Sequence, residues 1–225
     1  GVDLLAHFIS QGDTIFDIGA NIGRFTTFAS RQVGKDGQVY SFEPLPYPRK
    51  ILTHMKVMRN LKQVTISSCA LSDVSGDATM FIPLKDGKPQ TSLAYIVDSD
   101  TDAGDNQSEH VQVITLDKFC ADHSVEKVDA IKCDVEGLEY NVFIGGVHTL
   151  KKFKPVIYCE IDTTFYDRQD KDITLIFSFL KDLGYESFLP NADYTVLQRK
   201  DYQGLTRKED FFFVHKSKLV AGLTD

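Results

Sequence analysis

The chain of 225 residues contains no tryptophan and only three methionines. It offers no apolar run of the roughly 18 residues that a membrane-crossing helix requires. A basic surplus is also missing. The 32 acidic and 25 basic residues leave a formal net charge of −7, which argues against a nucleic-acid partner, because a phosphate backbone calls for a basic face. Lys151-Lys152-Phe153-Lys154 is a candidate basic patch, but lysines just past a helix end read as a solvated face that complements the helix dipole. Cysteine is sparse: Cys69, Cys120, Cys133 and Cys159 form no C-x-x-C pair, which disfavours zinc and thioredoxin-type sites. Cys69, Cys133 and Cys159 lie in or beside apolar runs, so buried reduced thiols and a cytoplasmic setting are expected. The opening Gly1-Val2-Asp3-Leu4-Leu5 shows no basic-then-apolar leader pattern and no initiator methionine. It fits either a trimmed N-terminus or a domain excised from a longer protein, with fusion to glycan-processing domains an idea that rests on analogy.

What is present is ordinary for a globular protein: 42% hydrophobic and 25% charged residues, in a length that suits one domain over residues 1–225. Short β-rich runs alternate with helical spacing. Thr14–Ile18, Gln38–Phe42, Val64–Ala70, Val128–Cys133 and Val156–Glu160 read as strands. Ile22–Val33, Pro46–Asn60, Leu138–Leu150 and Ile173–Leu183 read as helices, with Gly145-Gly146 weakening the third. Tyr185–Leu189, Thr195–Gln198 and Asp210–His215 complete the strands. This predicts an α/β fold with a mostly parallel sheet covered on both faces. Residues 75–116 break the rhythm and predict an inserted hairpin (Ala78–Ile82, Val111–Thr115) around a polar loop, Asp98–Glu109.

The first strand runs into Asp17-Ile18-Gly19-Ala20-Asn21-Ile22-Gly23. A glycine-containing strand-to-helix turn lets backbone approach a ligand and presents free N–H groups. The spacing D-x-G-x-x-x-G is neither the dinucleotide fingerprint nor a P-loop. A carboxylate beside the turn suits a ligand ammonium better than a pyrophosphate. Glu43 ends the second strand, where an acid accepts hydrogen bonds from ribose hydroxyls. Ammonium at the first turn and ribose at the second strand outline S-adenosylmethionine. Cys69-Ala70-Leu71-Ser72-Asp73 closes the third strand with small and apolar residues suited to flank an adenine, or equally to pack a core.

Phe16-Asp17-Ile18-Gly19-Ala20-Asn21-Ile22-Gly23-Arg24-Phe25-Thr26, Phe42-Glu43-Pro44 and Ala70-Leu71-Ser72-Asp73 resemble the FkbM family of methyltransferases. Ile114-Thr115-Leu116-Asp117, the run Asp129 to Glu139 and Lys154-Pro155-Val156-Ile157-Tyr158-Cys159-Glu160-Ile161 extend the match over about residues 13–162. The resemblance implies a Rossmann-like class I methyltransferase fold with a seven-stranded sheet whose last strand is antiparallel. It also implies O-methylation of hydroxyls on sugars or natural products. It assigns the cofactor to Asp17, Gly19, Ala20, Asn21, Gly23, Phe25, Glu43, Pro44, Ala70, Leu71 and Asp134. Residues 85–109 match no block of the family, which leaves the acceptor open.

Methyl transfer to a hydroxyl needs the two reacting atoms aligned and a group to take the proton. Asp134, Glu136 and Glu160, at the ends of the fourth and fifth strands, are the catalytic candidates. Asp134, Glu160 and Asp162 together are candidates to hold Mg²⁺ or Mn²⁺ through oxygen ligands. Glu139 reads equally as a helix-capping acid. Lys132, inside a strand, is expected to pair with a nearby carboxylate, and His110 is the histidine to test as a base. Thr91-Ser92, Tyr95, Phe165 and Tyr166 are weaker acceptor-pocket candidates, for which turn formation or packing is the simpler role. A small-molecule or glycan acceptor is expected. A nicotinamide-dependent oxidoreductase and a non-catalytic binding domain remain the alternatives.

Overall fold

The computed structural model describes residues 2–97, 107–169, 171–205 and 208–224. In chain order the elements are α1 (Val2–Leu5), β1 (Thr14–Ile18), α2 (Arg24–Val33), β2 (Gln38–Phe42), α3 (Pro46–Met58), β3 (Val64–Ser67), β4 (Ala70–Leu71), β5 (Gly76–Ile82), β6 (Leu84–Lys85), β7 (Lys88–Pro89) and β8 (Tyr95–Val97). They continue with β9 (Gln107–Ile114), α4 (Leu116–Asp122), β10 (Ala130–Cys133), α5 (Glu139–Ile144), α6 (Val147–Phe153), β11 (Val156–Asp162), α7 (Thr163–Arg168), α8 (Thr174–Asp182), β12 (Tyr185–Pro190), β13 (Leu197–Arg199) and β14 (Lys208–His215).

The main sheet has the order β13-β12-β14-β11-β10-β1-β2-β3. β3, β2, β1, β10 and β11 are parallel, and β14 runs antiparallel between β11 and β12. The expected seven strands are therefore present with the last one reversed. The short β13 adds an eighth at the edge. Strand alternation sends Ile15, Val39, Ala130 and Val156 to one face, under α1 and α2, and Phe16, Ile131, Ile157 and Phe213 to the other, under α4, α5, α6 and α8. The second face is aromatic. Phe119 of α4 packs edge-on against Phe42, with ring centroids 4.6 Å apart, and against Phe16 at 5.8 Å.

The insertion is larger than a hairpin. β4, β9, β5 and β8 form a second sheet, with a small core of its own built on Leu45, Ala70, Met80, Ile82, Val111 and Val113. Of the expected polar loop, residues 98–106 lie outside the described residues. The run Val64–Ala70 is likewise not one strand. The chain leaves the main sheet after Ser67, and Ala70–Leu71 pairs with β9 in the second sheet.

Three short helices, α1, α4 and α7, escaped the periodicity, although the Thr115 side chain caps α4 by accepting from Lys118 N–H. The expected helix Leu138–Leu150 is two helices broken at Gly145-Gly146. Close packing explains both glycines. A Cβ on Gly145 would lie 2.1 Å from the Ser72 carbonyl oxygen, and one on Gly146 2.5 Å from Leu116 Cδ2. Asp117 completes this corner by accepting from the N–H groups of His148 and Thr149 at 2.9 and 2.7 Å. Among the described residues no helix is long and apolar enough to cross a membrane. Replacing Gly145 by Ala must displace the β4–β5 turn. A loss of about 1–3 kcal/mol is expected, read as a lower urea midpoint with an unchanged denaturant slope.

Candidate active site

A cleft opens at the C-terminal ends of β1, β2, β10 and β11, where the chain order reverses around β1. In open α/β sheets this is where ligands bind. Gly19, Asn21, Glu43, Pro44, Ala70 and Leu71 line it, and Asp134, Glu136 and Glu160 face them.

The first turn is held in place by its backbone. Gly19 has φ +75, and a Cβ there would fall 1.9 Å from the Asp134 carbonyl oxygen, so only glycine fits between the ends of β1 and β10. The Gly19 and Ala20 N–H groups donate to the Phe42 carbonyl at 3.1 and 2.9 Å. Asn21 also has positive φ, and its N–H donates to Glu43 Oε2 at 2.8 Å, while Leu45 N–H donates to Oε1 at 2.9 Å. Glu43 is thus anchored on both oxygens at the cleft wall. Burial raises its pKa to about 7 against these two hydrogen bonds.

Four residues expected to touch the cofactor lie behind the cleft. Ala20 is buried, its N–H bound to the Phe42 carbonyl. Gly23 starts α2 in a left-handed conformation and packs on Leu52 and Met55 of α3. Phe25 belongs to the core beneath α2, against Phe28. Asp17 is 0% exposed. Its Oδ2 accepts from Thr26 Oγ1 at 2.5 Å, and its Oδ1 lies 3.7 Å from Lys132 Nζ with no hydrogen bond of its own. The cation facing Asp17 therefore comes from the chain itself. Burial nonetheless pushes the Asp17 pKa up.

Lys132 links the two sides of the crevice. Its Nζ donates to the Gly19 carbonyl at 2.9 Å and pairs with Asp134 Oδ2 at 3.2 Å. Burial opposes its charge, yet Asp134 and Asp17 together hold its pKa above the ordinary lysine value.

Asp134, Glu136 and Glu160 bring one carboxylate oxygen each within 4.8 Å of one another. Desolvation, with the charges of Asp134 and Glu160, lifts the Glu136 pKa to about 8. Glu136 sits in a strained turn (φ +55, followed by Gly137 at +93). Glu139 stands in the first turn of α5, as expected, and also shapes the turn before it. Its Oε1 accepts from the Val135 and Gly137 N–H groups at 3.1 Å each, and its Oε2 from Tyr166 OH at 2.9 Å. Asp162 is not part of the cluster. Its Oδ1 caps α7, accepting from Thr164 N–H at 2.9 Å. Lys208, unforeseen in the sequence, reaches from β14 to pair with Glu160 and lines the cleft.

The other candidates separate cleanly. Thr91 lines the cleft. Tyr95 packs edge-on against Phe81. Phe165 and Tyr166 are buried, and Tyr166 serves Glu139. His110 lies on the exposed side of β9 within 3.4 Å of Thr79 Oγ1, away from the carboxylates.

The profile of the methyltransferase FkbM domain matches residues 17–187. A curated relative, the 31-O-demethyl-FK506 methyltransferase FkbM of Streptomyces tacrolimicus, is 27% identical over 161 residues, covering 61% of this chain and 60% of its own. The crystal structure of a methyltransferase FkbM from Methylobacillus flagellatus KT superposes with a TM-score of 0.56 at 15% identity, over 90% of this chain and 43% of that one. A Streptococcus mutans protein in complex with SAH superposes with a TM-score of 0.55 at 10% identity, over 95% of this chain and 94% of that one. At these identities the two structures share the fold with this chain. The chain spans less than two thirds of the length of the first two.

Lys132→Met leaves Asp17 as an unpaired buried charge. It is expected to cost about 3–5 kcal/mol, and adding Asp17→Asn should recover part of that in a double-mutant cycle followed by chemical denaturation. The Glu136 carboxyl binds its proton more tightly in the folded than in the unfolded chain, where its pKa is near 4.5. Its contribution to stability is complete below about pH 4.5 and is lost as pH rises through about 8. Glu136→Gln should flatten the decline of stability across that window.

Proposed function

The chain belongs to the FkbM methyltransferase family, and from that premise we propose that it transfers a methyl group from S-adenosylmethionine to a hydroxyl group of a sugar or glycan. A natural-product hydroxyl is the alternative acceptor class, and it is the one named by the Streptomyces relative. The observation that carries the reading is a single cleft holding the Gly19–Asn21 turn and the Glu43 carboxylate on one side and three clustered carboxylates on the other.

The donor set fits the cofactor. Glu43 presents a fixed carboxylate to a vicinal diol, Ala70 and Leu71 offer small apolar surface to a base, and the acidic rim favours a cationic ligand. When bound, S-adenosylmethionine supplies an electrophilic methyl group on a sulfonium. Glu136, with a pKa near neutrality, is matched to accept the proton of the acceptor hydroxyl. Asp134, fixed by Lys132, orients that hydroxyl, and Glu160 pairs with Lys208 while burial and the Asp134 charge push its pKa up. Asp17 acts at one remove, by placing Thr26 and Lys132.

A second reading puts Mg²⁺ or Mn²⁺ on Asp134, Glu136 and Glu160, favoured by their three oxygens within 4.8 Å. Activity unchanged by EDTA and by added Mn²⁺ would remove it.

Calorimetric titration should show S-adenosylmethionine and SAH binding, with NAD inert. Glu43→Ala should weaken both by about ten- to a hundredfold through the loss of hydrogen bonds to a charged acceptor. Glu136→Gln should keep SAH affinity and lower kcat/KM by about 10²–10⁴, and Asp134→Asn should lower kcat/KM as well. Binding of NAD in place of S-adenosylmethionine would point to an oxidoreductase. Cofactor binding without turnover of any sugar or natural-product alcohol would point to a non-catalytic domain.

A further inference from the structure

The cleft does not end at the carboxylates. It continues, across Leu45 and Thr91, into a second depression between the start of α3 and the inserted sheet. Leu45 and Ile82 form its buried floor, 2% and 3% exposed. Pro46, Tyr47 and Pro89 form its walls, and all three stay exposed. The depression encloses about 250 Å³ against about 200 Å³ in the cleft itself, which is room for a molecular body and not merely a methyl group.

Its chemistry is the reverse of the cleft's. Gln107 and Glu109 stand at the rim, and among the described lining residues Glu109 and the Tyr47 phenol are the only ionisable groups. No cation is among the described residues that line it, so these offer a phosphate or carboxylate no counter-charge. A polyhydroxylated ring would leave most of its hydroxyls facing Leu45, Ile82 and Pro89 without partners, at a cost for each. An apolar group would instead remove the exposed faces of Tyr47, Pro46 and Pro89 from water.

We propose that this trough is the subsite for an apolar portion of the acceptor, so that the acceptor is amphipathic: its hydroxyl reaches the Asp134–Glu136–Glu160 cluster while an alkyl or aryl portion lies along Tyr47 and Pro89. The proposal rests on the methyltransferase reading for the hydroxyl end and on the trough alone for the apolar end. It makes α3 and the insertion, which the family match spans, the determinant of acceptor choice.

The test is calorimetric titration of the intact chain, with and without SAH, by methyl, butyl, hexyl and octyl β-glucosides below their micelle concentrations. Affinity should climb by about threefold to fourfold for each methylene that enters the trough. Tyr47→Ala should flatten that climb while leaving SAH affinity unchanged. Tyr47 is 68% exposed, so its truncation leaves the core intact. Equal affinity for the methyl and octyl glucosides, no binding of either, or a climb that survives Tyr47→Ala overturns the proposal. The SAH titration is read separately. A chain-length climb without SAH binding sinks the methyltransferase reading and spares the trough, and SAH binding without the climb does the opposite.

Discussion

Lys132 puts an ammonium at the point where the sheet changes direction. β1 and β10 are neighbours in space but lie more than a hundred residues apart in the chain, and an aspartate near the end of each, Asp17 within β1 and Asp134 just past β10, faces this cation. The parallel register sets Asp17 opposite Lys132. Without the ammonium, Asp17 would be an uncompensated charge in the core and the Gly19 carbonyl would lose its tie to β10. Everything the cleft presents stands on this tie. It sets the separation between the glycine turn, which carries Asn21 and through it Glu43, and the Asp134 end of the carboxylate cluster.

The parts of the site that were legible in the sequence are those fixed by short-range chemistry. Gly19 is needed by a left-handed turn, Glu43 closes the second strand, and Asp134 and Glu160 stand at strand tips. The parts that misled depend on side-chain direction. Asp17 lies next to the turn in sequence, but its side chain points with Ile15 toward α2 and faces Lys132. Asp162 sits two residues beyond Glu160, yet the chain turns into a helix there and uses the carboxylate as a cap. Lys208 had no local signal, because it becomes a partner only once β14 pairs antiparallel to β11. The α4 start was readable from Thr115 as an N-cap, but seven residues are too few for periodicity to speak.

The insertion shows how a second wall is added to the cleft at the end of the main sheet. Ala70 and Leu71 belong to both systems: they line the cleft, and they form the edge strand of the second sheet by pairing with β9. The small core around Leu45, Met80 and Ile82 then seats the insertion against the start of α3. The insertion can thus vary in length and polarity while Gly19, Glu43 and Asp134 keep their places.

β14 also has a consequence for how the molecule is made. It enters the sheet between two strands that precede it in the chain, β11 and β12. During synthesis from the N-terminus, the first five parallel strands can assemble while the β12–β13 pair waits unattached. The edge of β11 is an open template until β14 has been made and pairs with it. Until then the carboxylate cluster also lacks the one cation that β14 brings to it. A nascent chain is therefore most vulnerable to edge-to-edge association before β14 pairs, and β14 serves as the closing seam of both the main sheet and the carboxylate cluster.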